Sequence, residues 1–288
     1  MQVQWFPGHM TKAGRQIKEN QKKVDIIIEI LDARVPLSSR NPLLRKITAH
    51  KKRIILLNKD DLADPRATKQ WLEYFRKEEG AIALAVSAQN KKSLSRITPA
   101  AKQLCAGARW MDRRPVRAMI LGIPNVGKST LINAMAGNKK AGVANMPGFT
   151  KDMQRYEAGK GLQIFDTPGM LWPKFEDMHS GFNLAALGSI KDTILPIERI
   201  ALFTIPYLCL RYSSELKKRY KWEELPEDPV LFVEELGRKR GCIVSGGAID
   251  REKACYLLLR ELRDGKIGRI SLERPGEERK VNGDEKEL

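Results

Sequence analysis

The sequence predicts an α/β fold in which a doubly wound, mostly parallel sheet is followed by a small C-terminal all-α domain. Three observations favour this fold. Apolar runs alternate with polar stretches of helical spacing over residues 1–115, which is typical of a parallel sheet with helices on both faces. A further strand then leads into a glycine-rich loop and a helix. Beyond about residue 175, helical periodicity replaces the strand pattern.

Three apolar runs predict the first strands. Residues 24–31 (VDIIIEIL) are almost continuously apolar, as expected of a strand that is covered on both faces. Residues 53–57 (RIILL) and 82–86 (IALAV) are two further runs of this kind. Helical spacing in residues 64–79 and 93–104 predicts the helices that alternate with these strands.

The second part of the sheet begins after a predicted linker at residues 106–115. Residues 116–121 (VRAMIL) predict a strand, and a helix is expected to begin near Lys128. Residues 153–156 and 162–165 are two short strand patterns separated by glycines, which indicates a hairpin. The predicted sheet therefore ends in a hairpin.

Helices are predicted for the rest of the chain. Helical periodicity in residues 197–203, 230–236 and 251–263 indicates a small helical domain. The last residues are polar, and we expect them to be disordered. The predicted domains are residues 1–175 for the sheet, residues 176–274 for the helices and residues 275–288 for the disordered tail.

Positive charge dominates the composition. The formal net charge is +17 and the pI is near 9.8, which favours a polyanionic partner. No membrane partner is expected, because no amphipathic anchor is evident and the longest apolar stretch, residues 200–210, contains Pro206 and is too short to span a bilayer. The lack of a targeting pattern and of C-x-x-C pairs favours the reduced cytoplasm. We expect a monomer there.

The glycine-rich loop, residues 122–129 (GIPNVGKS), predicts a phosphate-binding site. Its glycines let backbone N–H groups approach phosphates, and the following helix N-terminus adds a positive dipole end. Lys128 is expected to reach the β- and γ-phosphates of a nucleotide, and Ser129 to give its hydroxyl to Mg²⁺. The predicted nucleotide contacts of this phosphate loop are Asn125, Val126, Gly127, Lys128, Ser129 and Thr130.

A second motif, residues 166–169 (DTPG), directly follows a predicted strand. Asp166 can hold Mg²⁺ through a water molecule, and the Gly169 N–H can meet the γ-phosphate. An ordinary turn is the alternative interpretation. Thr150, in the loop before the hairpin, can complete the Mg²⁺ shell only when a γ-phosphate is present.

The tetrapeptide at residues 58–61 (NKDD), at the end of an apolar strand, predicts recognition of guanine. A carboxylate at Asp61 can accept hydrogen bonds from both N1–H and the exocyclic amine of guanine, whereas adenine offers no such pair of donors. Lys59 can lay its stem over the base, and Asn58 can brace the neighbouring loops. After the next strand, Ser87 and Ala88 offer a backbone N–H for the guanine O6.

The order of these motifs is the reverse of that in an ordinary small GTPase, because the guanine motif comes first. In this order they resemble the circularly permuted GTPases, specifically the bacterial ribosome biogenesis GTPase A (RbgA/YlqF) family. The phosphate loop and three other segments match that pattern: residues 5–10 (WFPGHM), 32–36 (DARVP) and 171–175 (LWPKF). The resemblance implies a circularly permuted P-loop GTPase sheet. It also implies GTP hydrolysis that is slow alone, is stimulated by the large ribosomal subunit and serves late assembly of that subunit, with rRNA contacted by the helical domain.

Hydrolysis needs a group that orients the attacking water. Met170 lies where many GTPases carry a glutamine, and the resemblance places the chain with GTPases that lack it. The family supports His9 as the substitute, in a Pro-Gly-His segment predicted to be mobile; a surface histidine in a structural turn is the alternative. The carbonyl of Asn125 can help hold K⁺ beside the phosphates, with simple bracing of the loop as the alternative. The predicted catalytic residues are His9, Lys128, Thr150 and Gly169.

Basic clusters in the helical domain predict contact with a phosphate backbone. A solvated charged face is the alternative for any one cluster. The rival function is a nucleotide-regulated rRNA-binding placeholder in ribosome assembly whose GTP hydrolysis is incidental, and a P-loop ATPase is disfavoured by Asp61. The candidate RNA contacts are Lys217, Lys218, Arg219, Arg238, Lys239 and Arg240.

Overall fold

The computed structural model describes residues 7–137, 154–171, 177–190 and 195–277, with side chains from Gly14 onward. Six strands form one sheet in the order β3-β2-β1-β4-β6-β5. All neighbouring strands are parallel except the β5–β6 hairpin, which confirms the predicted doubly wound, mostly parallel sheet. The strands are β1 Ile26–Asp32, β2 Arg53–Asn58, β3 Ile82–Ala85, β4 Val116–Leu121, β5 Arg155–Glu157 and β6 Leu162–Asp166.

Helices lie between the strands and make up most of the chain after the sheet. No helix in the described ranges is long and apolar enough to cross a membrane. The helices are α1 Pro7–Asn20, α2 Pro42–Ile47, α3 Pro65–Glu79, α4 Lys91–Leu94, α5 Ile97–Leu104, α6 Lys128–Ala136, α7 Met178–Ala186, α8 Ile197–Arg211, α9 Ser213–Tyr220, α10 Pro229–Arg240 and α11 Arg251–Arg263.

The Pro-Gly-His segment forms the first turn of α1, where proline at the first helical position is favoured, and its mobility stays a prediction. One prediction about helices is corrected. The single helix predicted over residues 93–104 is two helices, because α4 ends at Leu94 and α5 begins at Ile97. The N-terminus of α4 is fixed by Asn90, whose side chain accepts hydrogen bonds from the Lys92 and Ser93 N–H groups.

The sheet is covered on both faces. All seven residues of β1 are buried, as the continuous apolar run predicted. On one face Trp71 and Phe75 of α3 pack in a cluster with Leu31 and Ile55. A larger buried cluster includes Ile28 of β1, Leu184 of α7 and Leu258 of α11, besides other residues of the sheet and the helical region. The helices after the sheet are therefore joined to it by a shared apolar core.

The chain returns to the sheet after α11. The Ile270 N–H donates to the Leu62 carbonyl at 2.9 Å, the Leu272 N–H donates to the Arg34 carbonyl at 2.8 Å, and the Trp71 indole N–H donates to the Glu273 carbonyl at 3.1 Å. Residues 265–274 are called the C-terminal segment below. The sequence analysis did not predict this contact, although Ile267, Ile270 and Leu272 of the segment belong to the buried core. Residues 278–288 of the predicted tail lie outside the described residues.

The Glu273 carboxylate anchors the C-terminal segment. It accepts hydrogen bonds from the backbone N–H groups of Leu37 at 2.8 Å and Ser38 at 3.1 Å, and from the Asn183 side chain at 3.2 Å. Burial raises the pKa of Glu273, and the donors from Ser38, Leu37 and Asn183 oppose that rise. Since Asn183 lies on α7, this one carboxylate joins the C-terminal segment, the loop after β1 and the helical region.

Candidate nucleotide site

The predicted motifs meet at the carboxyl edge of the sheet. Asp32, Asn58 and Asp166 end β1, β2 and β6, and the phosphate loop follows β4. The strand order runs outward from β1 to β3 on one side and from β4 to β5 on the other. Ligands bind doubly wound sheets at such a reversal, in the crevice outside the carboxyl ends of the strands. The β1–β4 junction is therefore where a nucleotide is expected.

The phosphate loop is shaped by its two glycines. A side chain on Gly122 would place its Cβ only 2.8 Å from the Ile30 carbonyl oxygen, and one on Gly127 would come within 2.5 Å of the Asn58 side-chain nitrogen. Gly127 also has a φ of 93°, which glycine adopts without strain. The Lys128 side chain turns back and donates to the Gly122 carbonyl at 3.3 Å. The loop is thus a tight backbone turn with its lysine held inside.

The guanine motif contacts the phosphate loop directly. The Asn58 side-chain amide donates to the Val126 carbonyl at 2.7 Å, and Lys59 Nζ donates to the Asn125 carbonyl at 2.7 Å. The Asp61 side chain is exposed. Two motifs that lie more than 60 residues apart in the sequence are therefore parts of one site. The side chain of Lys59 lies across the phosphate loop.

Asp32 belongs to the DARVP segment that resembles the family pattern, but the sequence analysis assigned it no role in the site. Its carboxylate is fully buried and pairs with Lys59 Nζ at 2.9 Å and with Arg34 at 2.9 Å. Burial raises the pKa of Asp32, but Arg34 and Lys59 outweigh burial and hold that pKa well below its usual range. The carboxylate therefore remains charged and fixes the direction of Lys59. The available signal was a lone carboxylate at the end of a buried strand.

The loop after β3 carries the predicted backbone donor for the guanine O6. The Ser87 N–H donates to the Ser93 hydroxyl at 3.1 Å, and the Ser87 hydroxyl accepts from the Gln89 N–H at 3.2 Å. Among the described residues nothing accepts a hydrogen bond from the Ala88 N–H. This loop also contacts the guanine motif, since the Asp60 N–H donates to the Val86 carbonyl at 3.1 Å. Of the predicted pair, Ala88 is the one whose N–H is available to a ligand.

The DTPG motif lies beside the phosphate loop. A Cβ on Gly169 would lie 2.9 Å from Lys128 Nζ, so this position brings backbone close to the buried lysine. One carboxylate oxygen of Asp166, Oδ1, is buried and has no hydrogen-bond partner in the described part of the chain. Burial raises the pKa of Asp166, while Lys128 lowers it. An unpartnered carboxylate oxygen next to a phosphate loop is suited to a hydrated Mg²⁺ ion.

Met170 belongs to the apolar core. It is 2% exposed and packs in a buried cluster with Ile17 of α1 and Phe165 of β6. Its N–H donates to the Gly122 carbonyl at 3.4 Å, and its carbonyl accepts from the Asn41 side chain at 2.7 Å. The position that often carries a water-orienting glutamine is therefore filled by a packing residue, and the end of α1 is tied to the DTPG motif.

Known proteins share both the sequence and the fold. Residues 117–231 match the family described as 50S ribosome-binding GTPase. The protein named ribosome biogenesis GTPase A from Priestia megaterium is 47% identical over 284 residues, covering 96% of this chain and 98% of that protein. The protein of the same name from Thermotoga maritima is 33% identical, covering 95% of each chain. The chain belongs to the ribosome biogenesis GTPase A family. The GTPase identity predicted from the order of the motifs is confirmed.

Two solved structures of the ribosome biogenesis GTPase A family are similar in fold. The GDP-bound structure of TM YlqF has a TM-score of 0.67 at 30% identity and covers 91% of this chain. The GNP-bound structure of YlqF from T. maritima has a TM-score of 0.64 at 31% identity and covers 93% of this chain. This chain covers 100% of both. The fold described above is therefore that of a family in which both nucleotide forms have been solved.

Some predicted site residues stay outside this geometry. Thr150 lies outside the described residues, and the His9 side chain is not described, although its backbone lies in the first turn of α1. Ser129 and Thr130 are exposed in the first turn of α6, on the side of the phosphate loop. The side chain of Asn125 donates to the Gly188 carbonyl at 3.1 Å, so this loop residue of the GTPase family also contacts the helical region.

The six candidate RNA contacts divide into two groups. Arg219 and Arg240 pair with Glu261 of α11 at 2.5 and 3.5 Å, and Lys239 Nζ donates to the Lys221 carbonyl at 2.8 Å. These three side chains form ion pairs or hydrogen bonds within the helical region. Burial raises the pKa of Glu261, but Arg219 and Arg240 hold it below its usual value. Lys218 and Arg238 are exposed and Lys217 is half-buried, and Arg238 lies 3.7 Å from Glu234 of its own helix.

Proposed function

We propose that this chain hydrolyses GTP during late assembly of the large ribosomal subunit. The observation that carries the proposal is the direct contact of Asn58 and Lys59 with the phosphate loop, because it joins base recognition and phosphate binding in one site. The relatives named ribosome biogenesis GTPase A match almost the whole chain. The proposed partners are GTP and GDP, the precursor of the large subunit and its rRNA, and the proposed setting is the cytoplasm, where the protein acts as a monomer.

The nucleotide is proposed to lie across the β1–β4 junction. Asp61 accepts from the guanine edge, Lys59 covers the base, and the Ala88 N–H meets the guanine O6. Lys128 and the first N–H groups of α6 hold the phosphates, since a helix N-terminus favours anions. Gly169 donates its N–H to the γ-phosphate. The remaining proposed contacts are Asn58, Ser87, Asn125, Val126, Gly127, Ser129, Thr130 and Thr150.

Mg²⁺ is the proposed metal. Ser129 and Thr150 supply hydroxyls and Asp166 binds the ion through water, an arrangement that P-loop GTPases use to neutralise charge on the phosphates. The support in this chain is the buried, unpartnered Asp166 oxygen and the exposed Ser129 at the start of α6. The ion supplies Lewis-acid charge stabilisation at the phosphates when bound.

His9 is proposed to orient the attacking water when the ribosomal particle is bound. Met170 is buried and apolar, so the water must be oriented from elsewhere. Helix α1 carries His9 in its first turn, and its residue Ile17 packs with Met170. Eight residues of helix separate the two positions by roughly 12 Å. A shift of α1 on the particle would therefore move His9 relative to the DTPG motif.

The first test compares GTP turnover with and without large-subunit particles. We expect the particles to raise wild-type turnover at least about tenfold, and His9→Ala to lose most of that rise, because general acid–base and positioning groups contribute factors of this size or more. His50→Ala is the matched control, since His50 is an exposed histidine on a loop. Unstimulated wild-type turnover would favour the placeholder function. Equal stimulation of the wild type and His9→Ala would remove the role of His9 alone.

K⁺ is proposed to lie beside the phosphates on the carbonyl oxygen of the Asn125 side chain. The amide nitrogen of that side chain is already used by Gly188, which leaves the oxygen free to face a ligand. We expect turnover to be about tenfold faster in K⁺ than in Na⁺ at equal ionic strength, as for loss of one preorganised charge contact. Asn125→Gly keeps the φ of 62° without strain and should abolish the difference. A K⁺ preference that survives in Asn125→Gly would contradict the assignment.

The helical domain, predicted as residues 176–274, is proposed to contact rRNA. The exposed side chains of Lys218 and Arg238 and the half-buried Lys217 are the cations proposed to meet it, and their contribution should weaken as salt rises. Recognition through the phosphate backbone and the shape of the RNA is proposed, since double-stranded RNA hides its base edges.

A further inference from the structure

The C-terminal segment lies along the loop that carries the guanine motif. Arg269 donates from Nη2 to the Asp60 carbonyl at 2.5 Å and from Nε to the Ala63 carbonyl at 2.8 Å. The Ile270 N–H donates to the Leu62 carbonyl at 2.9 Å. Three of the four backbone carbonyls from residue 60 to residue 63 thus accept hydrogen bonds from two adjacent residues that lie over 200 positions later in the chain.

Two backbone hydrogen bonds within residues 59–63 also hold this loop. The Leu62 N–H donates to the Lys59 carbonyl at 2.9 Å and the Ala63 N–H to the Asp60 carbonyl at 3.3 Å, which makes a short turn. Gly265 approaches the same loop so closely that a Cβ there would lie 2.7 Å from a methyl carbon of Leu62. The turn and the C-terminal segment are therefore packed against each other without room for a side chain between them.

Asp61 lies inside this turn, and Arg34 attracts its carboxylate through the opposite charge. Its side chain is exposed, and it forms no hydrogen bond or ion pair with any residue in the described ranges. The direction of its carboxylate is thus set by the backbone of residues 60–63. That backbone is held by Arg269, whose guanidinium bridges the carbonyls at both ends of the turn.

We propose that Arg269 is a positioning residue for guanine recognition, which aims the Asp61 carboxylate by holding the backbone of residues 60–63. This inference rests on the proposed function, in which Asp61 accepts hydrogen bonds from N1–H and the exocyclic amine of guanine. It adds that the specificity of the site depends on a residue outside the GTPase motifs. Arg269 follows α11 closely, and the Arg263 carbonyl at the end of α11 accepts from Arg34 at 3.3 Å. Displacement of the helical region would therefore loosen nucleotide binding, and binding would oppose that displacement.

The test measures binding of GDP and of inosine diphosphate by titration calorimetry. Inosine lacks the exocyclic amine, so the ratio of the two dissociation constants reports how well Asp61 meets the guanine edge. We expect Arg269→Ala to weaken GDP binding roughly fivefold, as for the loss of about one net hydrogen bond, and to lower the GDP preference over inosine diphosphate. Arg269→Lys keeps the charge but cannot bridge both carbonyls. Its GDP affinity and its GDP preference should lie between those of the wild type and those of Arg269→Ala.

Lys266→Ala is the matched control. It removes one positive charge from the same segment, and within the described ranges the Lys266 side chain pairs with Asp264 alone, at 3.0 Å. We expect it to leave both the affinity and the preference unchanged. Because both nucleotides bind the same folded protein, a loss of stability alone does not change their ratio. A wild type without preference for GDP contradicts the proposed role of Asp61. A preference that is kept in full by Arg269→Ala overturns this inference and leaves the proposed function intact.

Discussion

Asp32→Asn is expected to lower the free energy of unfolding by about 3 kcal/mol, because it removes the counter-ion of a buried arginine. The side chains of Asp32 and Arg34 are 0% and 3% exposed, and both carboxylate oxygens of Asp32 accept from Arg34 at 2.9 Å. An asparagine fills the same space but leaves the guanidinium unpaired. Urea unfolding at pH 7, with the slope of the transition checked against the wild type, measures the change.

The same substitution is expected to weaken GDP binding. Asp32 holds Lys59 Nζ at 2.9 Å, and without it the lysine is restrained only by the Asn125 carbonyl. The pH dependence follows from the lowered pKa of Asp32. The stabilisation is fully present above the unfolded-state pKa of about 4 and is lost as the pH falls toward the lower folded-state value. Between about pH 6 and pH 3, the free energy of unfolding of the wild type should therefore fall more than that of Asp32→Asn.

A double variant separates the two roles of Asp32. Arg34→Met in the Asp32→Asn background removes the unpaired charge, and replacing both partners of a buried pair by uncharged groups is often close to neutral. We expect most of the stability to return while GDP binding stays weak, since Lys59 still lacks its partner. If Asp32→Asn costs less than about 1 kcal/mol, the range of exposed pairs, the pair does not stabilise the fold.

The positions of the strands along the chain could be predicted from the sequence because their signal is local. Residues 116–121 formed a strand with the predicted bounds, and residues 53–57 formed one that is longer by a single residue. Helices α2, α7 and α9 were missed. They are six, nine and eight residues long. The starts of α2 and α7 depend on the capping side chains of Asn41 and Asp177, residue types that also occur in ordinary turns.

The chemistry of the site was predictable only where it is carried by contiguous residues. The phosphate loop and the tetrapeptide can be recognised from their own sequences. Asp32 and Arg269 instead act through contacts with residues 59–63, which exist only in the folded chain. Counting charges in the sequence assigned to RNA contact some basic residues that pair within the protein. It could not show that Arg219 serves Glu261 on another helix, because a buried carboxylate is indistinguishable from an exposed one in the sequence.

Asp61→Asn is expected to change the base that the protein prefers from guanine to xanthine. The two carboxylate oxygens accept from N1–H and the exocyclic amine of guanine, whereas an amide has one acceptor oxygen and presents an N–H donor in place of the other. Xanthine carries a carbonyl in place of that amine, which an amide N–H can meet. We expect GDP affinity to fall on the order of 100-fold or more, because a polar group built for a partner strongly rejects the analogue that lacks it. Competition binding of GDP and xanthosine diphosphate measures both changes.

Asp60→Asn is the control for this exchange. It removes the same charge one position earlier, where the carboxylate lies 3.7 Å from Arg269, and it should leave guanine preferred. Asp61 is exposed and unpaired in the described structure, so its substitution should not disturb the fold. Asp61→Asn also separates base recognition from chemistry, since Lys128 and Gly169 are untouched. Xanthosine triphosphate should then support particle-stimulated turnover close to that of the wild type with GTP. If Asp61→Asn still prefers GDP, the guanine edge is recognised by another residue, and the Arg269 contacts support a loop with a different role.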